Sequence, residues 1–303
     1  MGAARLPSGD NVRLGVAVIL VATLALSLGD AAIKLLSADF ALSQIFVLRS
    51  LIAIPVVVII IKARSRTASL MPRRIGWVAL RSLLLTFLWL AYYMALPHLA
   101  LGVAAATFYT LPLFITLFAA IFIGDRIGAK GWGAVALGFV GALFILKPEA
   151  GGFNAYVLLP LGSAVLDALA MILTRTKCRG ENPLVLSLSL NVTLVSIGLV
   201  VTAYTAIAGT SANDSSFILR AWSPMDASGW LAMAFLAAVA IAASVGAATA
   251  YQVAPPATIA TFDFAYVGFA GLWGILIFAE FPDARTILGI MLIVVAGIIA
   301  VRR

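Results

Sequence analysis

The sequence predicts an all-α membrane protein with ten transmembrane helices. Of its 303 residues, 63% are hydrophobic and 11% are charged, and the apolar residues form long runs separated by short polar segments. A soluble domain is nearer half apolar and a quarter charged, and a chain of this size cannot bury so much apolar surface in water. The apolar surface must therefore face lipid, and the bilayer is the first expected partner.

Ten spans account for the length of the chain. A span of about 20 residues with a short turn uses roughly 30 residues, so no stretch remains for a soluble domain. The predicted spans are residues 14–36, 41–61, 76–96, 100–123, 131–147, 153–174, 184–208, 229–250, 256–279 and 285–301.

Basic residues are unevenly distributed between these spans. With a cytoplasmic N-terminus, the inner segments hold fourteen Lys and Arg residues and the outer segments hold three, namely Lys147, Arg220 and Arg285. Such a bias is the positive-inside rule. It predicts a multi-pass protein of the cell inner (plasma) membrane with both termini cytoplasmic, and it explains the net charge of +8 without a nucleic-acid partner.

Two helix pairs follow the same pattern. Residues 100–147 and 254–303 each contain small residues, an aromatic-rich helix, an acidic turn (Gly124-Asp125 and Ala279-Glu280) and a glycine-containing helix. Five spans separate the copies, so the second enters the membrane from the opposite side. We therefore expect an inverted repeat around a central cavity, a common construction of carriers. Residues 1–150 would form the first five-helix repeat and residues 151–303 the second.

Three features resemble one family: Arg49 in VLRSLIAIP, the stretch YYMALPHLALGVAAATFYTLPLF followed by IGDRIG, and the 5+5 layout. They resemble the drug/metabolite transporter superfamily, and in particular its EamA-type ten-helix exporters, which include bacterial amino-acid exporters. In that family the first acidic turn usually carries glutamate, whereas this chain has Asp125. The resemblance implies a cavity between the two halves, with spans five and ten at the periphery.

Six ionisable residues lie inside the predicted spans, where each costs several kcal/mol if it faces lipid. They are Asp30, Lys34, Arg49, Arg81, Asp167 and Asp263.

Asp30, Lys34 and Arg49 fall in the outer third of the membrane by their depth in spans one and two. Asp30 and Lys34 are one helical turn apart, so an ion pair between them is one expectation. The other is that Lys34 or Arg49 binds a substrate carboxylate, for which the planar fork of Arg49 is better suited.

Asp167 and Asp263 lie toward the cytoplasmic ends of their spans. They could form an inner acidic site that holds a substrate amine or exchanges a proton. Alternatively, one of them pairs with Arg81. Both interpretations stay open at this stage.

Four aromatic residues lie deeper than the headgroup region, where an aromatic belt would be expected. Trp89, Tyr92 and Tyr93 share one helical face, and Tyr109 reaches a similar depth. They either line a cavity for aromatic or cationic substrates or pack as core.

We expect a secondary carrier that exports a small metabolite by alternating access. The expected substrate is zwitterionic or aromatic, with an amino acid as the leading candidate. The alternative within transport is a carrier of a larger nucleotide-like or cofactor metabolite.

There is no Walker A pattern for ATP and no metal-ligand spacing, so no cofactor is expected. The pieces Leu28-Gly29-Asp30 and Phe262-Asp263 faintly resemble an intramembrane aspartyl protease, but their order and spacing are wrong, so no enzyme is expected.

Overall fold

The computed structural model describes residues 11–118, 121–122, 128–146, 154–178, 180–211, 217–253, 259 and 262–301, and no strand occurs among them. The helices are α1 (Val12–Leu36), α2 (Leu42–Arg64), α3 (Ile75–Ala95), α4 (Leu101–Phe108), α5 (Leu111–Phe118), α6 (Ala129–Leu146), α7 (Leu158–Lys177), α8 (Pro183–Ile207), α9 (Ala227–Val253), α10 (Ala265–Phe278) and α11 (Ala284–Val301).

Six of these helices are long and apolar enough to cross a membrane, judged by length and composition. Four shorter apolar stretches add to them: Leu101–Ile115, Gly131–Ile145, Ala265–Phe278 and Ala284–Ala296. Together they overlap the ten predicted spans one by one. The all-helical membrane class is confirmed for the described residues, and the number of crossings stays a prediction.

Asparagine and aspartate side chains begin several helices by accepting a free backbone N–H of the first turn. Asn182 Oδ1 accepts from Leu184 N at 3.0 Å, directly before the proline that opens α8. Asp226 Oδ1 accepts from Gly229 N at 2.7 Å at the start of α9. The Gly229 N–H and the Ser228 hydroxyl hold the pKa of the Asp226 carboxyl below its ordinary value.

The predicted fourth span is interrupted rather than continuous. Helix α4 ends at Phe108, and Tyr109 and Thr110 form a turn before α5 begins. Proline lacks a backbone N–H, so residue 112 cannot donate a helical hydrogen bond to the carbonyl oxygen of Phe108, four positions earlier. The proline therefore accounts for the break.

A second interruption lies just before α10, where Phe264 forms a turn. The tripeptide Ala-Thr-Phe occurs in the sequence immediately before Tyr109 and again immediately before Asp263. The two interruptions meet in space, because the rings of Tyr109 and Phe264 lie 5.4 Å apart.

The connections between helices gather at two ends of the bundle. At one end the Glu181 carboxylate, after α7, accepts the backbone N–H groups of Arg73 and Arg74, before α3. We call this end the basic face. At the other end, the opposite face, Gln44 at the start of α2 exchanges two hydrogen bonds with the Ser223 backbone, before α9.

The helix pairing repeats across the two halves of the chain. Helix α1 packs on α9 and α10, while α7 packs on α3, α4 and α5. Helix α2 packs on α8 and α9, while α8 packs on α2 and α3. Helix α6 packs on α11, and α4 packs on α10. When both partners of a pair are shifted by five spans, counted modulo ten, the result is either another pair of this set or the same pair with its partners exchanged.

Glycines allow the closest approach of α6 and α11. A Cβ on Gly141 would lie 2.8 Å from the Gly289 carbonyl oxygen, and a Cβ on Gly289 would lie 2.7 Å from the Gly141 oxygen. The two backbones therefore touch at one reciprocal point, as small residues permit in membrane helices.

Candidate functional site

Asp30 lies at the centre of a buried polar cluster and is 1% exposed. The Tyr266 hydroxyl of α10 donates to Asp30 Oδ2, and the Tyr92 and Tyr266 hydroxyl oxygens lie 2.8 Å apart. Because Tyr266 gives its proton to Asp30, Tyr92 must donate to Tyr266. Tyr93 also interacts with this carboxyl, but Asp30 Oδ1 has no hydrogen-bond partner among the described residues, so one acceptor of the carboxyl remains available.

Arg49 of α2 approaches the same cluster and is 8% exposed. Its guanidinium carbon lies 5.4 Å from the Phe46 ring centre and 5.7 Å from the Tyr93 ring centre. It is close enough to act electrostatically on Asp30, yet among the described residues the ion pair within 4 Å is that of Lys34 and Glu280. Arg49 therefore presents a buried cation whose donors are not saturated by a carboxylate.

Aromatic rings surround this pair of charges. Trp89 stacks on Tyr93 at 5.3 Å, and Tyr92 packs against Phe108 at 5.4 Å. Tyr109 stacks on Tyr266 at 5.0 Å with an interplanar angle of 18°. The four predicted aromatic residues thus come together, and Tyr109 reaches them because the helix break redirects its backbone.

The expected ion pair between Asp30 and Lys34 is wrong. Lys34 instead pairs with Glu280 and donates to the Leu99 carbonyl oxygen. One helical turn of spacing makes a pair possible, but the bundle supplies each side chain with a better partner: Tyr266 for Asp30 and Glu280 for Lys34. The predicted outer cluster therefore separates into two groups.

Lys34 and Glu280 form an ion pair at the opposite face. Glu280 Oε2 accepts from the Leu101 N–H at 2.8 Å, so its negative charge sits at the N-terminus of α4, where the helix dipole favours an anion. Lys34 Nζ also lies 4.9 Å from the centre of the Phe278 ring. We call the Lys34–Glu280 pair with its Leu99 and Leu101 backbone partners the latch.

The end of α10 places Glu280 in the latch. Ala279 has φ 53°, a left-handed conformation, and Glu280 N bonds to the Gly274 carbonyl at 3.0 Å. This is a Schellman-type helix end. Gly274 makes room for the carboxylate, because a Cβ there would lie 3.3 Å from Glu280 Oε2. The predicted companion turn at Gly124-Asp125, like Lys147, lies outside the described residues.

Asp167 and Asp263 occupy a separate group toward the basic face. Asp167 is 7% exposed, and its Oδ1 has no hydrogen-bond partner in the part of the chain that the structure describes. It lies within electrostatic range of both Arg81 and Asp263. Arg81 Nε donates to Thr174 Oγ1 at 2.7 Å and is not within ion-pair distance of Asp167, so the predicted alternative pairing is only a longer-range interaction.

The two groups are connected through aromatic residues. The Tyr109 hydroxyl donates to Asp263 Oδ1 at 3.4 Å, and Tyr109 stacks on Tyr266, which holds Asp30. In this conformation the central charges are packed among helices rather than open to solvent, and the central cavity stays a prediction. Among the described residues no group of His, Cys, Asp and Glu could hold a metal ion.

Sequence reasoning missed Tyr266 and Glu280 as site residues. Tyr266 follows Asp263 by three positions, so a polar tyrosine deep in an apolar helix was the available signal. Glu280 was noted only as part of an acidic turn. Its relation to Lys34 could have been suspected, because both fall at the outer ends of their spans.

The geometry is that of a polytopic helical bundle with charges held at its centre, and comparison with known proteins gives the class. The model of the EamA-like transporter family matches residues 13–147. This match supports the resemblance to the drug/metabolite transporter superfamily: the first half of the chain is EamA-like, and the similar proteins are transporters. The matching family and the similar proteins are transporters, not enzymes, which argues against the aspartyl-protease alternative.

Similar proteins have different named substrates. A riboflavin transporter of Vibrio cholerae is 28% identical over 92% of this chain and 89% of its own. A pseudopaline exporter of Pseudomonas aeruginosa is 27% identical over 95% and 96%. An S-adenosylmethionine uptake transporter of Rickettsia felis is 24% identical over 72% and 68%.

One solved structure, described only as the crystal structure of a protein, superimposes with a TM-score of 0.61 over 95% of both chains. At 19% identity this similarity shows the fold alone. The chain is thus a transporter of small metabolites, with a substrate that the relatives do not specify.

Proposed function

We propose that this protein moves a small metabolite by alternating access and that Asp30 and Arg49 form the centre of its binding site. The observation that carries the proposal is a buried cation beside a buried carboxyl with a free oxygen. Such groups are costly in a membrane interior and are retained there where they bind a substrate or an ion.

The repeated helix pairing supports an inverted 5+5 repeat, with residues 1–150 and 151–303 as its halves. Further support comes from the Ala-Thr-Phe tripeptide, which precedes an interruption in both halves. Tyr109 and Asp263 hold the same position after it, and they bond to each other. Carriers built from opposed repeats place their sites where interrupted helices meet near the midplane.

The leading substrate class is a zwitterion of the amino-acid type. Arg49 would grip its carboxylate with two parallel bonds, and Asp30 Oδ1 would accept from its ammonium group. The rings of Trp89, Tyr93 and Phe108 would contact the rest of the molecule. Export is the expected direction, as for the exporters that the sequence resembles.

The second candidate is a planar cofactor-like metabolite. The aromatic rings around Arg49 favour it, as does the similarity to a riboflavin transporter. A planar ring could stack in the cluster while Arg49 holds a carbonyl or phosphate oxygen. In this case Asp30 would orient the tyrosines rather than bind an ammonium group.

The latch would be the gate of the outer mouth. Lys34 belongs to the first predicted repeat and Glu280 to the second, so their ion pair ties the halves together on the opposite face. The exposed basic residues Lys62, Arg64, Arg66, Arg73 and Arg74 lie at the other end. By the positive-inside rule that end faces the cytoplasm, which gives cytoplasmic termini in the inner membrane.

Asp30, Asp167 and Asp263 are the carboxyl groups placed to exchange a proton if transport is proton-coupled. Asp263 connects the two groups, because the Tyr109 hydroxyl bonds to it and it lies within electrostatic range of Asp167. Proton coupling would appear as a dependence of transport on an imposed pH gradient.

A transport assay on purified protein in liposomes tests these proposals. A panel of radiolabelled amino acids, riboflavin and nucleotides would be run with and without a pH gradient, and one class should show saturable counterflow.

Arg49→Ala should reduce transport about ten-fold or more through loss of a charge-assisted contact. Asp263→Asn should also reduce transport while the protein still reaches the membrane.

Arg66→Ala is the matched control, since Arg66 is exposed in the loop after α2. Unchanged transport in both Arg49→Ala and Asp263→Asn would assign these residues a structural role and refute the proposed site.

A further inference from the structure

A second site lies on the side of the bundle, away from the charged centre. A groove of about 670 Å³ runs between α2 and α9, and Val18 of α1 also lines it. Helix α2 lines it with Ile52, Val56 and Ile60, and α9 lines it from Ala234 to Thr249. We call it the α2–α9 groove.

Small residues on α9 create this groove. Its α9 wall includes Ala234, Ala237, Ala238 and Gly246, and such side chains leave space beside the longer residues of α2. Thr249, a polar residue of the lining, bonds to its own helix at the Val245 carbonyl, 2.7 Å away. The groove therefore offers an apolar surface without an unsatisfied hydroxyl.

A positive charge stands at the basic-face end of the groove. Ile52, Val56 and Ile60 repeat every four residues along one face of α2, and Arg64 continues that face by one more turn. Arg64 is exposed and makes no hydrogen bond or ion pair with the described part of the chain. Arg13, at the start of α1 on the same face of the bundle, is likewise exposed.

We propose that the α2–α9 groove binds one anionic phospholipid from the leaflet at the basic face. One acyl chain lies between α2 and α9, and the phosphate meets the Arg64 guanidinium. The charge decides between occupants, because an apolar groove alone accepts any apolar partner whereas a free guanidinium at its mouth selects an anionic headgroup.

The length of the groove agrees with one lipid tail. Ile52 to Ile60 spans about 12 Å and Ala234 to Thr249 about 22 Å at 1.5 Å per residue. Half of the hydrocarbon core measures about 15 Å. The bound chain would touch α2 and α9, which belong to different predicted repeats, and would therefore fill the seam between them. This inference does not depend on the identity of the substrate.

Native mass spectrometry of the full-length protein tests the site, with phosphatidylglycerol and phosphatidylcholine of identical acyl chains as probes. Wild type should retain one phosphatidylglycerol in preference to phosphatidylcholine. Arg64→Gln should lower that retention about five-fold, the effect of one basic contact with an anionic lipid. Val56→Trp, which fills the groove, should abolish it.

Two matched controls separate this site from general lipid contact. Arg66→Gln removes a neighbouring exposed charge, and Ile59→Trp adds the same bulk at a position of α2 that is 66% exposed and does not line the groove. Both should retain phosphatidylglycerol like wild type. Equal retention of the two lipids, or retention unchanged in Arg64→Gln and Val56→Trp, refutes the proposal. If the protein dimerises and loses the bound lipid on doing so, the groove binds a second copy of this chain and the lipid proposal is wrong.

Discussion

At the scale of single residues, the role of a buried charged side chain is indicated by its hydrogen-bond and ion-pair partners rather than by its burial alone. Asp30 and Lys34 are adjacent on α1, yet one bonds to a tyrosine of α10 and the other to the turn after that helix. Asp30 keeps a free oxygen beside Arg49, whereas Lys34 is engaged twice. Asp30 is therefore suited to binding a substrate, whereas Lys34 is suited to holding the outer mouth closed.

Tyr266→Phe tests the role of the hydrogen-bonded tyrosines. The change removes the hydroxyl that donates to Asp30 and accepts from Tyr92 while keeping the ring that stacks on Tyr109. A bond to a charged group contributes about 1.5–3 kcal/mol, so we expect the KM for transport to rise about ten-fold or more.

Tyr156→Phe is the control, since Tyr156 stacks on His98 through its ring at the opposite face. If the KM values of Tyr266→Phe and wild type coincide, Tyr266 does not position Asp30 for binding.

At the scale of the elements, the informative helices are those that deviate from regularity. Pro112 divides the fourth span, and the resulting turn brings Tyr109 to Tyr266 and Asp263. Gly141 and Gly289 bring α6 and α11 into backbone contact. On α9, by contrast, small residues leave the α2–α9 groove open.

Gly141→Ala should destabilise the α6–α11 contact. The added methyl would lie 2.8 Å from the Gly289 oxygen and 2.9 Å from Ile293 Cγ1, and such overpacking costs about 1–3 kcal/mol. Alanine gains about 1 kcal/mol of helix propensity over glycine, so the net loss is modest. The measurement is thermal unfolding of the purified protein in detergent.

Gly133→Ala on the same helix is the control, because nothing lies within 4 Å of its added Cβ. It should unfold at the same or a higher temperature. A Gly141→Ala protein as stable as Gly133→Ala would mean that the two helices separate without cost.

At the scale of the whole molecule, the latch ties the predicted halves together on the face opposite the basic loops. A carrier that alternates must break this ion pair when the outer mouth opens. In the proposed orientation the latch faces the exterior, so closure and topology can be tested in one experiment.

Lys34→Cys with Glu280→Cys, in a Cys178→Ser background that removes the single native cysteine, provides that test. A short cleavable thiol cross-linker should stop transport by holding the mouth closed. A membrane-impermeant reductant added outside intact cells should restore transport. The uncross-linked double variant and each single variant serve as controls for loss of the charges.

Continued transport after complete cross-linking would show that the latch is not a gate. Recovery with a membrane-permeant reductant but not with the impermeant one would place the latch on the cytoplasmic side and reverse the predicted orientation.

Much of this architecture follows from composition and periodicity. The apolar runs predicted the helices, and the ionisable residues within them marked the region where Asp30, Arg49 and Asp263 lie. The pairings could not be predicted, because each buried charge had several partners at suitable depth. Hydropathy alone predicts span four as one segment, because it does not register the backbone hydrogen bond that Pro112 removes.

The sequence by itself determined the solvent, the helical class and the set of costly buried charges, because transfer free energies depend on residue type and order along the chain. The tertiary structure decided which charges meet, that Tyr109 turns inward, and that α9 closes on α1 while leaving a groove toward α2. Those outcomes depend on distances between helices that are far apart in the sequence. Such distances are fixed only when all the helices of the bundle pack against one another at the same time.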